Sequence, residues 1–114
     1  MRGRPVAIAS GLVGVALATP LAAFEVRTET YLCARGVTVP AAYVNAAEGS
    51  AAVVTVEGRQ VALVAEPAAS GARYAWPSGG SGYVWLTKGN EAVLLWRDGA
   101  TGTETVILAD CRAG

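Results

Sequence analysis

Short runs of β-branched and aromatic residues recur about every eight to twelve positions between turn signals, and this rhythm constrains the fold more than any other feature. No segment after residue 23 has a sustained 3.6-residue period, so the pattern predicts strands and not helices. Eight strands are predicted, at 30–34, 37–44, 52–56, 60–65, 73–76, 83–87, 92–97 and 104–109. The fold class that this indicates is an all-β barrel or sandwich.

The turns between these strands predict antiparallel neighbours. Glu57-Gly58 and Asp98-Gly99 follow apolar runs, and both are predicted as hairpin turns in which glycine supplies the positive φ. The run 93–96 is apolar without alternation, which predicts a strand that is covered on both faces or lies against an extra loop. Pro40 interrupts an otherwise regular strand, so it is predicted at an edge or a bulge.

Residues 1–23 have the organisation of a secretory signal peptide. A short positive segment with Arg2 and Arg4 precedes an apolar run, 6–18, and small residues follow it. The run is shorter than the roughly 20 residues of a membrane span, so cleavage after Ala23 is predicted, with an uncleaved anchor as the alternative. Phe24 stands where a bacterial lipoprotein carries its lipidated cysteine. The mature domain, residues 24–114, is therefore predicted to have no lipid and no stable membrane anchor.

Cys33 and Cys111 are the only cysteines and lie near the two ends of the mature domain. In an exported protein two cysteines so placed are expected to form a disulfide, and two free buried thiols are the alternative. A domain of this size is near the lower limit of what a hydrophobic core stabilises unaided. No metal site is predicted, because the chain has no histidine and no second cysteine pair.

Charge and composition exclude several functions. Without Arg2 and Arg4, seven basic residues remain against nine acidic ones, a balance that disfavours nucleic acid and is compatible with a cationic protein ligand. The absence of histidine removes the common Ser-His and Cys-His nucleophile systems. The sequence therefore predicts a binding protein that uses no cofactor and is not an enzyme.

Two further features receive structural interpretations. Trp76, Trp85 and Trp96 are predicted to fill the core, with a sugar-stacking platform as the alternative. The glycine-rich segment 78–82 lacks the Lys-Ser/Thr and the helix of a phosphate-binding loop. It is predicted to be a flexible connection between strands.

Two segments join a glycine turn to a strand. The first is Ser70-Gly71-Ala72-Arg73-Tyr74, and the second is Trp85-Leu86-Thr87-Lys88-Gly89-Asn90-Glu91-Ala92, which holds the only lysine of the chain. Taken alone, Ser70 is explained as a turn cap and Lys88 as a solvated hairpin lysine.

Together, these segments and the two terminal cysteines resemble the membrane-bound and periplasmic inhibitors of c-type lysozyme. The similarity begins at Tyr31-Leu32-Cys33, continues through 37–45, 68–74 and 85–92, and ends at Cys111, so it spans nearly the whole mature domain. The resemblance implies an eight-stranded antiparallel barrel that plugs the active-site cleft of lysozyme. Two departures from the family are a proline, Pro40, within a strand and a longer, glycine-richer segment at 75–83.

The resemblance also implies roles for individual residues. Ser70 and Lys88 are expected to reach the two catalytic carboxyl groups of lysozyme. The residues expected to support their loops are Gly71, Arg73, Tyr74, Gly89 and Glu91, through backbone turns, strand packing or an Arg-Glu pair. The implied protein is a periplasmic inhibitor that protects the peptidoglycan of a Gram-negative bacterium. A barrel that binds a glycan or an envelope protein is the alternative, and the sequence leaves monomer and homodimer open.

Overall fold

A computed structural model describes residues 23–114 as a closed antiparallel barrel in which the strands follow sequence order. The strands are β1 Phe24–Leu32, β2 Thr38–Ala46, β3 Gly49–Val56, β4 Arg59–Glu66, β5 Ala72–Ala75, β6 Gly82–Lys88, β7 Glu91–Arg97 and β8 Glu104–Ala113. The eight predicted strands are confirmed, and the architecture is a barrel and not a sandwich. The predicted signal peptide lies outside the described residues except for Ala23. The described part of the chain contains no helix long and apolar enough to cross a bilayer.

The first strand begins six residues before its predicted start at residue 30. It pairs with β2 along its whole length, from Phe24 opposite Ala46 to Leu32 opposite Thr38. Most of its side chains are exposed and several are charged, so a hydrophobic pattern does not reveal it. Pro40 lies within β2, one residue before the pairing of β2 with β3 begins. The closed barrel has no edge strand there, and Pro40 is paired with Thr30 of β1, but the side of Pro40 that faces β3 is unpaired.

The two predicted turns differ in detail. Glu57 and Gly58 both have positive φ, 51° and 80°, as a two-residue type I′ hairpin requires. The β7–β8 connection spans residues 98–103, as the predicted strands imply, because β7 ends at Arg97 and β8 begins at Glu104. There Gly102 and not Gly99 has the positive φ, 77°. The prediction for Gly99 was wrong.

The barrel interior is filled by aromatic and branched side chains around Trp85, which is fully buried. Trp85 Nε1 donates a hydrogen bond to Tyr43 Oη at 2.9 Å, and the Tyr43 and Tyr31 hydroxyls lie 2.6 Å apart. Burial raises the pKa of Tyr43 well above its ordinary value. The core prediction is confirmed for Trp85 and wrong for Trp76 and Trp96, which are 43% and 40% exposed.

Strand β7 is buried on both faces, as its sequence predicts. Leu94 belongs to the barrel interior, whereas Leu95 is only 8% exposed and packs with Ala75 and Val84 in a second cluster. Ala75 pairs with Val84, and Val84 pairs with Leu95. Paired residues share one face of a sheet, so these three residues form an outer cluster on the barrel's exterior.

Four charged side chains form an ion-pair network near the outer cluster. Arg73 Nε lies 2.7 Å from Glu66, and Arg97 Nη2 lies 2.5 Å from the same carboxylate. Both arginines also pair with Glu104. Because β5 and β6 lie between the strands of Glu66 and Arg97, these side chains reach across the exterior face that holds the outer cluster. The hydrogen bond from Arg97 is the largest cause that lowers the pKa of Glu66.

The barrel closes between β1 and β8, where the pairing is short. Only Tyr31 opposite Ala113 and Leu32 opposite Arg112 are in register there. The predicted disulfide between Cys33 and Cys111 is confirmed and lies beside this seam. It closes a loop with a sequence separation of 78 residues, for which the chain-entropy relation gives about 4 to 5 kcal/mol of stabilisation.

Candidate functional site

Strands β5 and β6 bring the two sequence motifs together at one end of the barrel. Ala72 pairs with Thr87, so the chain on either side of this pair, Gly71 and Lys88, is also adjacent. A Cβ atom added to Gly71 would lie 2.1 Å from the Thr87 carbonyl oxygen and 3.3 Å from Lys88 Cβ. Only glycine permits this approach, which places the Ser70 turn against the strand end that carries Lys88.

Lys88 ends β6 and opens a two-residue hairpin. It pairs with Glu91 across the turn Gly89-Asn90, and Gly89 has a φ of 61°. Positive φ at the first turn position is what a type II′ hairpin requires. Lys88 and Ser70 are both exposed, and Lys88 forms no ion pair with any of residues 23–114. The ammonium group is therefore free to meet a ligand.

Strand β8 holds the Lys88 hairpin from its other side. The amide of Ala113 donates to the Asn90 carbonyl at 2.8 Å. Arg112 Nη1 lies 3.2 Å from Glu91, although both side chains are largely exposed and such a pair contributes little. Ala92, at the start of β7, is opposite the disulfide-bonded Cys111. The hairpin is thus tied to the covalently closed part of the barrel.

Of the residues predicted to support the loops, Arg73 and Tyr74 lie on β5, immediately after the Ser70 turn. Tyr74 is buried, with its ring centroid 5.6 Å from that of Tyr43. Arg73 extends into the ion-pair network with Glu66. Arg73 and Glu91 do not pair with each other. Arg73 pairs with Glu66, and Glu91 pairs with Arg112. The two residues instead anchor different strands.

Asn90 and Arg112 are neighbours of the site that the sequence did not single out. Asn90 follows Gly89 in the Lys-Gly-Asn-Glu segment. Asparagine after glycine is typical of a turn, and this pattern could have predicted its place at the site. Arg112 had no signal, because its register with Glu91 depends on the bulges that shift β8 relative to β7. Among residues 23–114, no three His, Cys, Asp or Glu side chains are grouped so as to hold a metal ion.

The arrangement as a whole defines a class of protein: a small, disulfide-closed antiparallel barrel with two adjoining exposed turns at one end. Comparison with known families narrows this class. The family model described as membrane-bound lysozyme-inhibitor of c-type lysozyme, MliC, matches residues 31–102. The chain belongs to this family.

Two known proteins illustrate the relationship. A membrane-bound lysozyme inhibitor of C-type lysozyme from Cupriavidus necator is 41% identical over 70 residues, which are 61% of this chain and 53% of that protein. The chain thus spans about half the length of this curated relative. A crystal structure of Pseudomonas aeruginosa MliC in complex with hen egg white lysozyme aligns with a TM-score of 0.62 and 26% identity, covering 92% of this chain and 99% of that one.

Proposed function

We propose that this protein is an inhibitor of c-type lysozyme that binds by inserting the Ser70 and Lys88 turns into the active-site cleft of the enzyme. The observation that carries the proposal is the contact between the two turns at Gly71, where a Cβ would collide with the Thr87 carbonyl. The contact supports the proposal because it brings the turn of Ser70 next to the end of β6 that carries Lys88. Family membership, through the match over residues 31–102, supports the same function.

The chemistry of the cleft explains the two residue types. A lysozyme cleft contains one ionised carboxylate and one carboxylic acid of raised pKa. The Lys88 ammonium can donate a charge-assisted hydrogen bond to the carboxylate, while the Ser70 hydroxyl can donate to or accept from the acid. A single long arm such as lysine suits a narrow cleft better than the broad guanidinium of arginine.

The barrel holds the two turns in place before lysozyme binds. Gly71 holds the first turn against β6, and the Ala113–Asn90 hydrogen bond holds the second against β8. A turn that is already ordered loses little conformational entropy on binding. We therefore expect binding with little rearrangement of the inhibitor.

We infer the cellular location of the protein from the predicted signal peptide and from Phe24. Cleavage after Ala23 would leave β1 whole, because that strand begins at Phe24. In the absence of a lipidated cysteine the mature domain, residues 24–114, would be released into the periplasm. The oxidised Cys33–Cys111 pair fits such a compartment.

An inhibition assay tests the proposal. Residues 24–114 are added to a c-type lysozyme acting on cell walls, and the inhibition constant is measured for the wild type, Ser70→Ala and Lys88→Ala. We expect the wild-type protein to inhibit the enzyme. The binding free energy of Lys88→Ala should be weaker by about 1.5 to 3 kcal/mol, the range for a hydrogen bond to a charged group. Full lysozyme activity in a large excess of correctly folded protein would refute the proposed function.

A further inference from the structure

The end of the barrel opposite Lys88 contains an open groove lined by aromatic and polar side chains. Strand β6 runs from Gly82 at this end to Lys88 at the other. The groove has a volume of about 520 Å³, within the range of small-molecule sites. Six of its lining residues carry the argument below: Trp76, Tyr83, Trp96, Glu57, Arg59 and Gln60.

The aromatic side chains of the groove pack against their neighbours and are still exposed to solvent. The rings of Tyr83 and Trp96 meet edge to face with centroids 5.1 Å apart. Trp76 packs on Gly82 so closely that a Cβ there would lie 2.5 Å from Trp76 Cβ. The two indoles nevertheless remain 43% and 40% exposed. Large apolar side chains gathered in the open indicate a binding surface.

The polar side of the groove is the β3–β4 hairpin. Tyr83 donates a hydrogen bond to the Glu57 carboxylate, which fixes that side chain at the rim. Glu57 has a φ of 51°, a left-handed conformation that costs a residue other than glycine about 1 to 2 kcal/mol. The hairpin also presents Arg59, which forms no ion pair with any of residues 23–114, and Gln60.

We propose that this groove binds a short oligosaccharide. The flat C–H faces of pyranose rings stack on indole rings, which offer a large rigid apolar surface. Carboxylate, guanidinium and amide groups at the rim can each form two parallel hydrogen bonds to neighbouring hydroxyl groups. Groove, exposed indoles and converging planar polar groups are the combination that such a ligand needs.

A protein partner fits this end of the barrel less well. A stable protein interface buries about 800 Å² on each partner around apolar anchors. Beside the groove lie the exposed connections 78–81 and 98–103, which contain only small, polar or acidic residues. These connections contact each other through Gly99 and Ser81 and add no apolar anchor.

The experiment uses residues 24–114 and two probes, the tetramer of N-acetylglucosamine and cellotetraose. Binding is measured by tryptophan fluorescence and by calorimetry. We expect saturable binding of at least one probe, reduced by about three- to tenfold in Trp76→Ala and in Trp96→Ala, the range for one aromatic stacking contact. Arg59→Ala, a change at an exposed residue, should also weaken binding without affecting the fold.

The controls separate this proposal from lysozyme inhibition. Lys88→Ala should bind the probes as the wild type does, and Trp96→Ala should inhibit lysozyme as the wild type does. No response to either probe at about 10 mM, a concentration at which even a millimolar site is mostly filled, would overturn the proposal. So would a dimer that Trp76→Ala or Trp96→Ala converts to monomer, since the surface would then join two copies of the chain.

Discussion

Replacement of Gly71 by alanine tests how the two turns are held together. The added Cβ would lie 2.1 Å from the Thr87 carbonyl oxygen, and that oxygen belongs to the backbone, so the turn must move away from β6. The φ of 69° adds a cost of its own. A left-handed residue with a Cβ costs about 1 to 2 kcal/mol, and overpacking typically adds about 1 to 3 kcal/mol.

Gly89→Ala is the matched control. Gly89 has a similar φ, 61°, but a Cβ there would have no heavy atom within 4 Å. Urea unfolding should therefore show a loss of about 1 to 2 kcal/mol for Gly89→Ala, and a loss larger by about 1 to 3 kcal/mol for Gly71→Ala. Under conditions in which both variants are fully folded, Gly71→Ala should weaken lysozyme inhibition more than Gly89→Ala does. Equal losses of stability and equal inhibition would refute the idea that the close approach at Gly71 positions the site.

Three other predictions concern the barrel itself. The double change Cys33→Ala and Cys111→Ala should lower the free energy of unfolding by about 4 kcal/mol in urea titrations, because β1 and β8 share only a short pairing. Tyr43→Phe leaves the buried Trp85 N–H without its acceptor and should cost about 1 to 3 kcal/mol by the same titration. The pKa of Glu66 is lowered in the folded state, so its contribution to stability is present above the ordinary pKa and is lost as pH falls through the lowered value. Acid titration of Glu66→Gln should show a shallower loss of stability over that range.

The sequence predicted the parts of the fold that have a local signal. All eight predicted strands rest on β-branched or aromatic runs, and the hairpin at Glu57-Gly58 rests on a glycine that readily adopts positive φ. The start of β1 had no such signal, because its first residues are exposed and charged. It becomes a strand by pairing with β2, which is a tertiary effect that no local pattern records.

The candidate site divides in the same way. The turns with Ser70 and Lys88 could be predicted from their residue types and from resemblance, but their contact depends on the register of β5 with β6. The exposure of Trp76 and Trp96 was missed because it depends on their position at one end of the barrel. Trp76 follows the end of β5, and Trp96 pairs with Tyr83 near the start of β6. The ion pair between Glu91 and Arg112 depends on the irregular pairing of β7 with β8.

The insertion of Lys88 into the cleft is tested most directly by a double-mutant cycle across the complex. Lys88→Ala in this protein is combined with an aspartate-to-alanine change at the ionised catalytic carboxylate of a c-type lysozyme, and the four dissociation constants are measured by calorimetry. We predict a coupling energy of about 1.5 to 3 kcal/mol, because each change removes the same hydrogen bond. Additive effects, within about 0.5 kcal/mol, would mean that the two groups do not meet and would contradict the proposed mode of inhibition.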